Sequence, residues 1–356
     1  MSVAINTPFN DLYLSAMLPT TVAFSVDEED AAAEVMVYVD QEIVFLTTIY
    51  AYGHDLYLND IRSVIEEAIR ERGHACGGCA LMISDGESSA STQDFIVVLS
   101  DFVVPSPAFF LASHFMTTRS SYRIHRYGKQ LLTWTSPSNA SEMRYVDAVI
   151  LPEGEGTPTV LRWEEGSQLY VKGRTYDYVV SVQTISDFFE QNFPEEKGKL
   201  LSFTVHVGLR SMTFFVTEEQ PDFMLSFRNA FNVTEYAEFY AVTTRKQKVE
   251  RSEAHFNDMR VFYDQDTQLT FEVETAALPY EEAVWLNQLL ASRYVAMAID
   301  GEDEEVLITD SSSEITDSDK EQNRLKFTYK FARDRQHHGV AYPPNCFTEE
   351  YNRQFM

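Results

Sequence analysis

The strongest constraint on how this chain can fold is a two-residue rhythm of apolar side chains that recurs along most of its length. Val22, Phe24 and Val26 alternate with Ala23 and Ser25, and Val35, Val37 and Val39 with Met36 and Tyr38. Leu201, Phe203, Val205 and Val207 alternate with Ser202, Thr204 and His206. Leu269, Phe271 and Val273 repeat the pattern, and so do Leu325, Phe327, Tyr329 and Phe331. Successive side chains of a strand leave on opposite faces, so this rhythm specifies sheets with one buried face. Helical spacing is confined to short windows. Asp60 is placed to cap a helix that aligns Ile61, Val64, Ile65, Ala68 and Ile69, with Gly73 placed to end it. A second helix is predicted near Ser186 to Asn192, stopped by Pro194, and a third over Tyr280 to Ser292 with Trp285, Leu286, Leu289 and Leu290 inward. The predicted fold class is therefore mostly β, as multi-domain β-sandwich modules with one short helix each.

A chain of 356 residues exceeds one ordinary domain. Residues 1–104 read as an N-terminal β-sandwich module that includes strand-like runs Ile43 to Tyr50 and Phe95 to Leu99. Val104-Pro105-Ser106-Pro107 reads as its boundary. Residues 105–222 form a central β-rich module, with candidate strands Tyr122–Tyr127, Gln130–Trp134, Tyr145–Leu151, Val160–Trp163 and Gln168–Val171. Residues 223–332 form a C-terminal β module with one helix, whose acidic stretches 300–305 and 310–321 read as solvated hairpin tips. Residues 333–356 lose all periodicity and read as an extended C-terminal arm or a disordered tail.

Charge removes several functions. The 55 acidic against 28 basic residues give a net −27, a surface that repels phosphate backbones and anionic membranes. Neither nucleic-acid binding nor membrane insertion is expected, and no apolar run approaches the roughly 20 residues of a membrane helix. Met1-Ser2-Val3-Ala4-Ile5-Asn6 has no basic or apolar signal region, and three cysteines cannot build a disulfide framework. These features predict a protein made in a reducing cytoplasm.

The one cluster with metal-ligand character is His74-Ala75-Cys76-Gly77-Gly78-Cys79. Two thiolates three positions apart could share a Zn²⁺ with His74 as a third ligand, but a structural site wants a fourth and only Cys346 remains. A redox pair is the second reading, although such pairs open a helix and this one precedes the strand-like Ala80–Ile83. A turn holding two small hydrophobes is the third. The expectation adopted is no metal and no cofactor, with His74, Cys76 and Cys79 as the metal candidates. Paired carboxylates abound and none stands apart. Glycine-rich phosphate loops, nucleophile elbows and zinc-protease signatures are missing, so an enzyme is not expected. The doublet His337-His338 points apart in an extended chain. Trp134, Trp163 and Tyr170 are the aromatics that could stack on sugars if exposed, or else pack the core.

The layout resembles virion proteins of tailed bacteriophages and prophages of gut Bacteroidetes, particularly tail and baseplate components. The resemblance is carried by Leu12-Tyr13-Leu14-Ser15 and Leu18-Pro19 ahead of Val35–Val39, by Trp285 to Ser292, and by Leu307 to Ser311 leading into Asn323 to Phe327. It implies β-sandwich modules that assemble into rings, no active site, and a place in the virion after synthesis in the host cytoplasm. The implied partners are further copies of the chain in a ring-like homo-oligomer and other virion structural proteins. A carbohydrate-binding or adhesive β-sandwich module is the alternative.

Overall fold

The computed structural model of the chain describes residues 2–86, 90–153, 156–196, 198–256, 259–299, 302–316 and 322–333. All of the expected arm beyond Arg333, with His337-His338 and Cys346, lies outside these residues. Strands take 58% of the chain and helices 15%, so the mostly-β, multi-sheet class read from the alternation is the class observed.

The chain divides into two compact units, Met1–Pro221 with Phe227–Glu238, and Asp222–Ser226 with Phe239–Met356. The first unit opens with β1 (Val3–Ile5), β2 (Leu12–Leu14), β3 (Thr21–Val26), β4 (Ala32–Val39), β5 (Glu42–Tyr50), β6 (Asp55–Asn59), α1 (Ile61–Glu71), β7 (Cys76–Ser84) and β8 (Ala90–Val98). Two sheets form, in the orders β1-β3-β6 and β2-β8-β7-β4-β5. Their facing residues make one core. It takes Val22 and Phe24 from one sheet, Val35, Val37, Leu81, Ile83 and Phe95 from the other, and Ile61, Ile65 and Ile69 from α1. The alternation at β3 and β4 thus specifies a sandwich by physical necessity, each strand giving one side chain in two to the interior. Asp60 caps α1 through its side chain, which accepts from the Ser63 N–H, and Gly73 follows at φ +71°. That φ suits the chain reversal after the helix without a Cβ penalty.

The same unit continues with α2 (Pro107–Ser113), β9 (Ser121–His125), β10 (Lys129–Thr135), β11 (Ala140–Pro152), β12 (Thr159–Tyr170), β13 (Thr175–Ser181), α3 (Val182–Asn192), β14 (Gly198–Val207) and β15 (Arg210–Thr217). A five-stranded sheet runs β12-β11-β14-β15-β9, beside the two-stranded β10-β13. Three details differ from the sequence expectation. Pro107, read as part of a boundary, starts a helix, because Ser106 caps it by accepting from the Phe109 N–H and proline suits the first turn. The central stretch therefore holds two helices. The run Val160–Trp163 and all but the last residue of Gln168–Val171 join into the single strand β12, which absorbs a register shift against Arg144 and Tyr145 of β11. A second core of Leu12, Leu14, Val98, Leu111, Met116, Phe231 and Val233 ties the opening sandwich to α2 and to the segment 227–238.

The chain passes between the units within β16 (Phe223–Arg228) and at the last residue of β17 (Thr234–Phe239), and the second unit then holds β18 (Ala241–Phe256), β19 (Met259–Thr275), α4 (Tyr280–Ala291), β20 (Val295–Ile299), β21 (Glu302–Glu314) and β22 (Arg324–Phe331). One seven-stranded sheet runs β17-β16-β20-β21-β22-β19-β18. Glu302–Glu305 and Asp310–Glu314, expected as hairpin tips, belong instead to β21, paired with β20 and β22. Glu302, Asp303, Glu305 and Asp310 sit exposed on a strand whose neighbours satisfy the backbone. No described helix is long and apolar enough to cross a membrane.

Candidate functional site

Cys76 and Cys79 both lie in β7, where Gly77, Cys79, Leu81 and Ile83 are buried on one face. Cys79 therefore points into the sandwich core, and Cys76, an odd number of residues earlier, leaves on the other face. The two thiols share no side of the sheet on which to hold one ion. His74 is exposed, with Nδ1 3.7 Å from Asp40 Oδ2. Among the described residues no group of three His, Cys, Asp or Glu is placed to bind a metal. The spacing has a packing cause instead. A Cβ on Gly77 would lie 3.1 Å from both Ile69 Cγ1 and Val39 Cγ1, so α1 seats on β7 where a side chain is missing. Burial pushes the Cys79 thiol up to about 12, with the Asp40 charge adding to it. Burial also raises Cys76, opposed by hydrogen bonds with Thr175 and Thr135. Thiols held protonated at neutral pH are poor nucleophiles and poor ligands.

Cys76 borders a cleft of about 380 Å³. Its polar wall is built from side chains and loops that bond to each other. Cys76 Sγ donates to Gly173 O at 3.2 Å, and Thr133 Oγ1 donates to Asp177 Oδ1 at 2.6 Å. Arg228 Nη1 donates to Gly73 O at 2.8 Å and to Asn232 O at 3.0 Å. Asn232 Nδ2 donates to His74 O at 2.7 Å. These bonds clamp the start of β7 to the segment 227–238 and β10 to β13. The arrangement is that of a joint, with these donors spent on carbonyl and carboxylate oxygens of the protein itself.

The three aromatics proposed as sugar platforms are occupied. Trp134 and Tyr170 are buried. Trp134 meets Phe115 and Tyr170 edge-on and stacks with Tyr176. Trp163 is half-buried and stacks on Phe188 at 4.1 Å between centroids. Beside Trp134, Arg210 is fully buried and its Nη1 donates to Glu142 Oε2 at 2.7 Å. Burial lowers the Arg210 pKa and Glu142 opposes the shift. This pair fastens β15 to β11 inside the unit.

One surface feature remains without an internal role. β5 ends the order of its five-stranded sheet, so among the described residues one of its edges has no neighbouring strand. Ile43, Leu46 and Tyr50 on it are 54%, 58% and 76% exposed. Tyr52 and Tyr57, in the following turn and strand, are exposed as well. The two longer edge strands carry charges in mid-strand: Arg162, Glu164 and Glu165 on β12, and Arg245, Lys246, Lys248 and Arg251 on β18. Such charges repel a pairing strand. From Ile43 to Gly53 there is no charged residue. Sequence reasoning found the strand but passed over Leu46, Thr48 and Tyr50. The uncharged run was the available signal, since strand order cannot be read from one strand.

No family model matches the chain, and no curated protein matches it significantly. Solved structures give distant likenesses. Trypsin-activated alpha-2-macroglobulin from Escherichia coli shares 8% identity over 77% of this chain and 22% of that one, with a TM-score of 0.20. CBD12 from CALX1.2 shares 10% over 58% of this chain and 80% of that one, at 0.19. The fibronectin(III)-like modules of CbhA from Clostridium thermocellum share 12% over 60% and 94%, at 0.16. The chain thus spans less than a quarter of the macroglobulin's own length. TM-scores of this size establish no common fold.

Proposed function

We propose that this chain is a structural subunit that acts by binding other subunits, within a ring-like homo-oligomer and alongside other structural proteins of a tailed-phage tail or baseplate. The observation that carries the subunit-binding reading is the uncharged, apolar, unpaired edge of β5. An exposed edge of this kind is a template for another strand, and a protein that persists with one has a partner for it. Exposed tyrosines beside it fit the same reading, because tyrosine is enriched where proteins meet. The virion setting comes from the sequence resemblance. The carbohydrate-binding alternative loses two of its named platforms, since Trp134 and Tyr170 lie in the core.

Native mass measurement of the purified chain at micromolar concentration is the direct test. An oligomer of defined size is expected. A monomer at every concentration, together with absence of the chain from purified phage particles, removes the proposal.

A further inference from the structure

We infer that β5 pairs antiparallel with β5 of a second copy, with Thr48 facing Thr48 across a two-fold axis. This rests on the subunit-binding reading above and names its partner and register.

The backbone selects the register. The N–H of Ala51 donates to Ala31 O at 2.8 Å, on the β4 side. Backbone direction alternates along a strand. Ile49 and Thr47 therefore also face β4, and the N–H and C=O groups of Leu46, Thr48 and Tyr50 point away from it, to the open edge. Two limits bracket these three residues. On one side Val44 is an extra residue, because the β4–β5 register shifts between Val37 and Tyr38 and pairs them with Phe45 and Ile43. On the other, the Tyr52 N–H already donates to Asp55 O at 2.8 Å. A register centred on Thr48 pairs Leu46 with Tyr50, Thr48 with Thr48 and Tyr50 with Leu46. It uses all three outward residues and neither obstructed one. Shifting the centre by one residue either way calls on Val44 or Tyr52.

The side chains fit the same register. Leu46, Thr48 and Tyr50 are exposed on the outer face of the sheet. Opposite residues of an antiparallel pair share a face, so leucine meets tyrosine twice and threonine meets threonine. No charge opposes another, which matters in a chain of net charge −27. The partner best suited to an uncharged self-complementary strip on so acidic a protein is another copy of that strip. Such a contact is isologous and closes at two copies, so a ring built on it holds an even number of chains.

Thr48→Cys tests the register, because directly opposed strand residues stand within disulfide reach. Mild oxidation is expected to give a covalent dimer on non-reducing electrophoresis, above the background of the wild-type chain with its three cysteines. Thr48→Lys sets two ammonium groups against each other and is expected to lower the sedimenting mass of the wild-type assembly by at least half. Thr48 is exposed, and unchanged circular dichroism establishes that both variants fold. An odd-numbered assembly, no cross-link above background, or association untouched by Thr48→Lys overturns this pairing while a measured oligomer leaves the assembly reading standing. A wild-type chain that is monomeric throughout overturns both. Protection of the β5 amides from exchange only on adding a different protein assigns the edge to that protein and overturns self-pairing.

Discussion

At the scale of residues, the first unit mixes apolar packing with partly buried polar groups whose ionisation is set by their neighbours. His206 on β14 stacks on Tyr145 at 4.3 Å between centroids, with Nε2 3.4 Å from Asp147 Oδ2. Burial holds its pKa below the ordinary imidazole value, with Asp147 working in the opposite direction. The unfolded chain then takes the proton first as pH falls. Stability from this residue is full above about pH 6.5 and declines as pH drops from there through the folded-state pKa. An NMR titration of His206 is expected to show a midpoint below about 6.5, and His206→Gln to flatten the stability profile on the acid side. A midpoint above that value reverses the sign and removes the argument. The cysteines teach a related lesson. Their spacing suggested a chelate, yet three positions along a strand put the thiols on opposite faces, which spacing alone does not reveal until the segment is known to be β.

At the scale of elements, the legible pieces were those with one buried face. α1, β3, β4, β14 and β22 were all visible because the core demands a periodic side-chain pattern from each. β18 was not, since every residue from Val242 to Arg251 is exposed. Its antiparallel ladder with β19 supplies the backbone bonds, and neither face imposes a rhythm. α2 was missed because seven residues are too few for a helical period to emerge. The seat of α1 gives a sharp test. Gly77→Ala places a methyl group against Ile69 and Val39, both fully buried and unable to withdraw cheaply. A loss of about 1 to 3 kcal/mol is expected in urea unfolding. A gain, as the reduced freedom of the unfolded chain alone would give, indicates that α1 shifts to make room.

At the scale of the molecule, net charge and the β5 edge act against each other. A charge of −27 drives copies apart, while the edge draws them together over a strip that carries none of that charge. Salt screens the repulsion and leaves apolar contact and backbone pairing in place. Association is therefore expected to strengthen between ~20 mM and ~500 mM salt, as the screening length falls well below the size of the protein. Sedimentation across that range checks it, and dissociation on adding salt would assign the contact to ion pairs.

The sequence by itself determined the mostly-β class, the positions of most strands and three of the helices, α1, α3 and α4, because burial of one face writes its period into the side chains. It also determined the acidic surface. Tertiary structure alone decided which strands became edges, that the 227–238 segment completes the first unit, and that Trp134 and Tyr170 are enclosed. The reason is physical. A side-chain period reports whether a strand has a buried face, while an edge is defined by backbone groups that every residue carries alike, so only the arrangement of neighbours distinguishes it.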